Sequence, residues 1–372
     1  MAVGIAGEGP AVTALEHAFS AANLQCDGVS IGELQEYEMG IVVGVVGSAG
    51  FERANSILFE TDTPWCAIEI GGIGGCGIES ISATISLFGP RQGCYECLQT
   101  RVKSTDTSNT GVSESPSTDI YYAGATAARL TIQFFNDSVE TGTIIEIPYA
   151  EHTLHPVPHC NVCDNNSHQT LQIQHTDRSL DESIHLAELG VDDKVGIISV
   201  IGERESYPAP YYLAQLSETD SFSEQSAPKH AAGVAVDWDR AFMKGLGEAY
   251  ERYCSGVYKT EKLTKTSITN VTNPIKPDEF VRPSDADEIT VNEEILWTPG
   301  ISLPSEMDVH LPAELVYFPP PEERIRPAIT TGLGLGNSTV EALLSGLYEI
   351  IERDAAMIAW YSTYEPLGLS IT

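Results

Sequence analysis

Basic side chains are scarce in this sequence: 20 Lys and Arg stand against 53 Asp and Glu in 372 residues, a formal net charge of -33. A general nucleic-acid binder needs a basic footprint to displace counterions, and no local basic run supplies one, so no nucleic-acid partner is expected. Long apolar runs are also missing. The two richest, IVVGVVGSAGF and IEIGGIGGCGIESISATISLFG, are short or broken by Glu and many Gly, and neither is built to span a bilayer. The opening MAVGIAGEGPAVTALEHAF has no basic stretch ahead of an apolar one and does not read as a secretory signal. Cysteine is used sparingly, eight in all with four of them in two CxxC pairs. That pattern fits a reducing compartment and a metal site better than a secreted disulfide framework. The expected location is the cytoplasm, with no membrane partner.

Apolar residues are present in sufficient amount, 42% with four Trp and 15 Tyr, for packed cores rather than a disordered acidic chain. The acid is spread along the whole length, a composition that resembles that of halophilic, haloarchaeal-type proteins, whose surface carboxylates hold water in high salt. Short apolar strands alternate with helical patterns over the first hundred residues: strands at Ala2 to Ala6, Gly40 to Val46 and Trp65 to Glu69, helices at Ala11 to Ala22 and Phe51 to Glu60. This alternation predicts a layered α/β domain. Lys103 to Thr118 reads as a loop, Ala123 to Phe135 as a helix and Thr143 to Pro148 as a strand. Polar, aperiodic composition from Asn165 to Ser179 places a boundary there, dividing the chain into residues 1–170 and 171–372. Beyond it GIISVIGERES predicts a strand and turn, and AGVAVDWDRAFMKGLGEAYERYCSGVY a turn and helix. The stretch from Thr272 to Glu323 reads as loops and short strands. STVEALLSGLYEIIERDAAMIAWYS is a long helix capped by Ser338 or Asn337.

Cys94 and Cys97 in GCYECL and Cys160 and Cys163 in HCNVC give the most specific small motif of the first domain. Two CxxC turns can aim four thiolates at one centre, a closed tetrahedral zinc site with no position left for water and therefore structural. A redox pair, or unrelated thiols, are the other readings. A tetrathiolate has no vacancy for the nearby His155, His159 and His168, and Cys26, Cys66, Cys76 and Cys254 lack metal spacing and read as small core residues. GPRQGCYECLQTR, the AGATAARLTIQFF helix and HPVPHCNVC together resemble the zinc-bearing half of the ThiF/MoeB fold of ubiquitin-activating-type enzymes, over roughly the first 165 residues. The nucleotide machinery of that family has no clear counterpart. Gly4, Gly7 and Gly9 form only GxxGxG after a short strand, a weak phosphate loop that reads rather as a tight strand-to-helix turn. The resemblance implies a degenerate, Rossmann-type ThiF-like domain kept as a scaffold or peptide-binding module.

The second domain contains an internal echo, GLGEAYERY at Gly245 to Tyr253 and GLYEIIERD at Gly346 to Asp354. At about 100° per residue, the two glutamates of each GLxExxER copy lie on nearly one helical face with the Arg beside them. Paired copies can point four carboxylates and two guanidiniums at a shared space, and Glu341 joins the stripe of the second helix. Clustered carboxylate oxygens suit Mg2+, which in turn suits the phosphates of ATP. A solvated salt-bridge face is the alternative for either copy taken alone. GERESYPAPYY, AFMKGLGEAYERY and TTGLGLGNSTVEALLSGLYEIIERDAAMIAW resemble the first half of a YcaO domain, an ATP-dependent enzyme of azoline and thioamide formation. The resemblance implies that Glu248, Glu251, Asn337, Glu341, Glu349 and Glu352 hold Mg2+ and nucleotide, and that Arg252 and Arg353 steady phosphates or the carboxylates. Lys244 stands where many members have Ser, and Gly233, Val234 and Ala235 stand where a GKG turn is often found. The family's domain also continues well beyond the second helix, so this chain reads as the N-terminal, partial α+β half, with an apolar face expected where the rest would pack.

A ThiF-like zinc domain joined to a YcaO domain is the arrangement of cyclodehydratases acting on ribosomally made peptides of the bacteriocin type. It implies attack of a Cys, Ser or Thr side chain on the preceding carbonyl, ATP-dependent activation of that oxygen, and an azoline product, with no protein nucleophile. The cofactors implied are ATP, Mg2+ and structural zinc. The partner is a peptide substrate, with a separate leader-binding or sulfur-donor protein, or a second copy of the chain, left open. Thioamide formation, adenylation by the first domain and a non-catalytic peptide scaffold are the rival readings.

Overall fold

The computed structural model describes residues 1–89, 93–105, 111, 115–148, 150–164, 172–284, 288–363, 365 and 368. The chain divides into two compact units, one of Met1–Ser167 with Glu188–Ile201 and Gln215–Phe222, the other of His168–Ala187, Gly202–Ala214 and Ser223–Thr372. The loop expected from Lys103 to Thr118, the polar stretch from Asn165 and the side chain of His168 lie partly or wholly outside the described residues.

The first unit is a layered α/β domain, as the alternation of strands and helices predicts. Strands β1 (Ala2–Ala6), β2 (Gln25–Gly28), β3 (Met39–Val45), β4 (Trp65–Ile70), β7 (Ala83–Phe88), β8 (Thr143–Ile147) and β9 (Ala150–Thr153) form a seven-stranded sheet ordered β2-β1-β3-β4-β7-β8-β9. The short β5 (Gly72–Ile73) and β6 (Cys76–Gly77) pair separately. The β2-β1-β3-β4 part is parallel and the β4-β7-β8-β9 part antiparallel. The parallel pairs need crossovers, and the helices α1 (Pro10–Ala21) and α2 (Ala49–Glu60) lie between successive strands of that half. In α1 the apolar residues Ala11, Leu15 and Phe19 repeat every fourth position and are buried with Val3, Ile5, Ile41, Ile68 and Ile85 of the sheet. Gly7, just after β1, serves packing: its φ is 142 and a Cβ there would lie 2.6 Å from the carbonyl oxygen of Val43. The cleft of about 310 Å3 beside the ends of β1 and β3 is lined by Gly7, Ser30, Val43, Ser48 and Phe51 among others, with no charged side chain in its lining.

Helices α3 (Tyr95–Ser104) and α4 (Ser117–Phe135) complete the unit. Glu69, wholly buried in β4, accepts hydrogen bonds of 2.8 Å from the backbone N–H groups of Gly74 and Gly75 and from the Tyr95 hydroxyl. Burial nonetheless pushes its carboxyl above the usual range.

After α5 (Leu180–Glu188), strands β10 (Ile198–Glu205), β11 (Tyr211–Leu216) and β12 (His230–Val234) form a three-stranded sheet in that order. The second unit then carries helix α6 (Trp238–Gly256), an antiparallel sheet of β13 (Thr264–Ser267), β14 (Glu294–Ser302) and β15 (Met307–Pro312), and helix α7 (Thr339–Tyr361). Trp297 on β14, with its Nε1–H donated to the carbonyl of Thr266, packs with Ile295 and Ile325 in a small core. No helix among the described residues is long and apolar enough to cross a membrane.

Candidate functional site

Cys94 is the N-cap of α3 and Cys97 lies in its first turn, so one CxxC pair is held by the start of a helix. Cys160 and Cys163 follow β9 in a turn, and Cys160 N bonds the carbonyl of Val157. The four sulfurs lie within 4.8 Å of one another. Cys94 and Cys160 are 3.7 Å apart, Cys94 and Cys97 4.0 Å, and Cys97 and Cys163 3.3 Å. With metal–sulfur bonds of about 2.3 Å, a tetrahedron has edges of about 3.8 Å, so the spacing fits a tetrathiolate. Hydrogen bonds from Cys160, Cys163 and Cys97 hold the Cys94 thiol below its ordinary value. The backbone N–H of Val157 donates to Cys97 Sγ at 3.2 Å, a contact of the kind that would orient the sulfur toward a metal. One turn along α3, Arg101 donates to the carbonyls of His155 and Pro156 at 3.2 and 2.8 Å and ties the helix to the segment that leads to Cys160.

The neighbouring histidines take other partners. His155 Nε2 meets the carbonyl of Leu189 at 2.9 Å, and burial lowers its basicity. His159 pairs with Asp164 at 3.4 Å. Of the remaining cysteines, Cys66 is buried in β4 as expected, whereas Cys254 is exposed on α6 and is not a core residue. That helix turns one flank away from the packed side, and periodicity alone did not show which flank.

The echo in the sequence is an echo in the structure, at an offset of 101 residues. Helix α6 is N-capped by Asp237, whose side chain accepts the Arg240 N–H, and α7 is N-capped by Ser338, which accepts the Glu341 N–H. Ahead of each cap, a glycine lies against the helix that follows. A Cβ on Gly233 would lie 2.1 Å from Ala241 O and 2.2 Å from Gly245 N, and one on Gly334 would lie 2.3 Å from Ala342 O and 2.6 Å from Gly346 N. Only glycine fits such an approach. The first glutamate of each copy then closes the unit in the same way. Glu248 Oε2 accepts the Ala232 N–H at 3.3 Å and its Oε1 accepts Arg252 Nη2 at 2.9 Å. Glu349 Oε2 accepts the Gly332 N–H at 3.0 Å and its Oε1 accepts Arg353 Nε at 3.0 Å.

The second glutamates differ. Glu251 accepts Arg252 Nη1 at 3.0 Å. Burial raises its carboxyl above the usual range; Arg252 opposes that rise, and the charges of Glu349 and Glu248 add to it. The charges of Glu248 on α6 and Glu349 on α7 thus both reach Glu251, and these three carboxylates share two arginines, Arg252 and Arg353. Glu352 is on the exposed flank of α7 and has no hydrogen bond or ion pair to a described residue. Glu341 returns its carboxylate to the Asn337 N–H at 2.7 Å, next to the Ser338 cap. The Ser-x-x-Glu spacing of 338 to 341 was the available signal for this capping role. Asn337 offers its carbonyl to Arg178 at 3.3 Å. Lys244 is exposed one turn before Glu248.

Around these carboxylates α7 is open rather than apolar and enclosed. Gly346 is its one buried residue among those described, and Leu347, Tyr348, Ile351, Met357, Ile358 and Trp360 are exposed.

Residues 232–371, from β12 through α7, match the family described as YcaO cyclodehydratase, ATP- and Mg2+-binding. The repeat of acidic helices lies inside this matched region. Two solved structures share the fold of nearly the whole chain. A heterocyclase in complex with substrate and cofactor aligns over 97% of this chain and 57% of its own, with TM-score 0.67 and 17% identity. The heterocyclase TruD aligns over 97% and 55%, with TM-score 0.59 and 18% identity. A protein of Methanothermobacter thermautotrophicus described as uncharacterized is 32% identical over 137 residues, 36% of this chain and 35% of its own. The chain thus spans little more than half of the heterocyclases and about a third of the archaeal protein.

Proposed function

We propose that this chain serves in ATP- and Mg2+-dependent activation of a peptide backbone amide, with azoline heterocycles as product. The observation that carries the reading is the set of Glu248, Glu251 and Glu349, three carboxylates sharing two arginines within the region that matches the YcaO family. Mg2+ bound there would bridge and neutralise the phosphates of ATP. Glu251 is the ligand best suited by its surroundings, with Glu248 and Glu349 beside it. Glu352, Glu341 and Asn337 would be further ligands on α7, once Glu341 is released from its bond to the Asn337 N–H, and Arg252 and Arg353 would supply donors for phosphate oxygens. The peptide provides its own nucleophile: a Cys, Ser or Thr side chain adds to the preceding carbonyl and closes the ring, the oxygen so formed takes the γ-phosphoryl group of ATP with release of ADP, and departure of phosphate with loss of the amide proton leaves the C=N bond of the azoline.

In this reading residues 1–170 are a ThiF-like domain whose four cysteines hold a structural zinc, and residues 171–372 are the YcaO part. The cleft beside β1 and β3 has no charged side chain in its lining, so a phosphate there would depend on backbone N–H groups alone, and the reading keeps a scaffold or peptide-binding role for the first domain over adenylation. Four free thiols gathered at one point also favour a reducing, cytoplasmic setting. The test is incubation with ATP, Mg2+ and Cys- or Ser-bearing peptides. Loss of one water per ring with release of ADP is expected. Release of AMP would instead indicate adenylation, and exchange of oxygen for sulfur would indicate a thioamide product.

A further inference from the structure

The two copies of the acidic helix share a plan, but their arginines are used differently. In the second copy Arg353 is 56% exposed and bonds Glu349 alone, leaving Glu352 open. In the first copy Arg252 is only 15% exposed, and its two terminal nitrogens divide between the two carboxylates, Nη2 to Glu248 at 2.9 Å and Nη1 to Glu251 at 3.0 Å. The guanidinium carbon also lies 5.9 Å from the Phe318 ring centroid, a placement that favours a cation. Glu248 has both oxygens engaged, one by Arg252 and one by the Ala232 N–H. The guanidinium therefore occupies the position that a divalent metal shared by Glu248 and Glu251 would take.

We infer that Arg252 is the resident cation of the Glu248 and Glu251 pair and that a divalent metal binds there only by displacing it. The inference rests on the proposed reading of these glutamates as metal and nucleotide ligands. Mg2+ needs carboxylate oxygens at about 2.0–2.1 Å in octahedral geometry, and the Arg252 fork holds one oxygen of each partner. A second positive centre on the same oxygens is repelled by the first. Displacement frees a planar group with five N–H donors beside the metal, the geometry that matches phosphate oxygens. Arg252 would thus couple the two ligands: it disfavours metal alone and favours metal together with a polyphosphate. Arg353, exposed and bonded to one carboxylate, imposes no comparable barrier.

The full chain is titrated with Mn2+ and no nucleotide, followed by electron paramagnetic resonance, beside Arg252→Gln and Arg353→Gln. Arg252→Gln is expected to bind Mn2+ at least tenfold more tightly than the parent and a non-hydrolysable ATP analogue with Mg2+ at least tenfold more weakly. Arg353→Gln should change Mn2+ affinity less than threefold. Equal or weaker Mn2+ binding by Arg252→Gln, with the parent binding measurably, overturns the inference and leaves the site reading intact. Absence of Mn2+ and nucleotide binding in parent and variants alike overturns both. A readout on the unaltered chain removes dependence on the variant's folding: phenylglyoxal labelling mapped by mass spectrometry. Mg2+ should raise the Arg252 adduct and the ATP analogue should lower it again; a fall on adding Mg2+ alone refutes displacement.

Discussion

Replacing His152 offers the most quantitative test of how the first unit is held together. This side chain, on β9 and only 4% exposed, is bonded at both nitrogens, Nδ1 to Asp192 at 2.5 Å and Nε2 to Glu146 on β8 at 3.1 Å. Lys194 faces the same group, its Nζ 3.3 Å from Glu146, and Asp192 also accepts the N–H groups of Lys194 and Val195 at 2.8 Å. Burial alone would lower the imidazole's basicity, but the hydrogen bonds and charges of Asp192 and Glu146 outweigh it and raise the pKa from 6.5 to about 9. One pKa unit corresponds to about 1.36 kcal/mol, so the protonated ring contributes roughly 3 kcal/mol. Because the folded value is the higher one, that contribution is complete below about pH 6.5 and is lost as pH rises to about 9. Asp192 and Glu146, both held below the usual carboxylate range, retain the same pairing down into the acid range.

His152→Gln keeps a polar side chain without the charge. At pH 6.5 it should lower the stability of the cooperative unit containing the sheet by about 3 kcal/mol, or roughly 6–12 °C in Tm at 2–4 °C per kcal/mol. Between pH 7 and 9 the parent should lose about 1.4 kcal/mol per pH unit relative to the variant. Thermal unfolding followed by circular dichroism at several pH values measures both quantities. A variant that melts with the parent at pH 6.5 and shows the same pH slope would refute the assignment of a charged, stabilising imidazole.

Protein purified without chelator should contain one zinc per chain by elemental analysis, and Cys94→Ser with Cys160→Ser should lose it together with stability of the first unit; full zinc in that double variant would reject the tetrathiolate. Gly334→Ala and Gly233→Ala should each cost about 3 kcal/mol, because the added carbon meets backbone atoms that cannot turn aside; denaturant midpoints equal to the parent's would contradict the close approach. Glu251→Gln should weaken nucleotide binding in Mg2+ at least tenfold, while Glu352→Gln at the exposed flank should weaken it less, as read by isothermal titration; the reverse order would move the metal to α7.

The alternation of strand and helix, the paired CxxC turns and the GLxExxER echo could be read directly because each is a local pattern. Period and spacing along the chain set which side chains share a face before any tertiary contact forms. The sequence thereby determined an α/β first domain, the identity of the four grouped thiols and the positions of the acidic helices. It did not determine the order β2-β1-β3-β4-β7-β8-β9, in which the β4-β7-β8-β9 half turns antiparallel, since strand pairing joins residues distant along the chain. Nor did it show that His152, Glu146, Asp192 and Lys194 meet, for no motif links positions 146 and 152 to 192 and 194. The five glutamates assigned to one group are distinguished only in space. Glu248 and Glu349 brace their helices against the preceding segment, Glu341 caps its own helix, Glu352 faces outward, and Glu251 is held in a half-buried group. A glutamate's charge is written in the sequence, whereas the oxygen atoms and donors left available to it depend on burial and on backbone groups supplied by the fold.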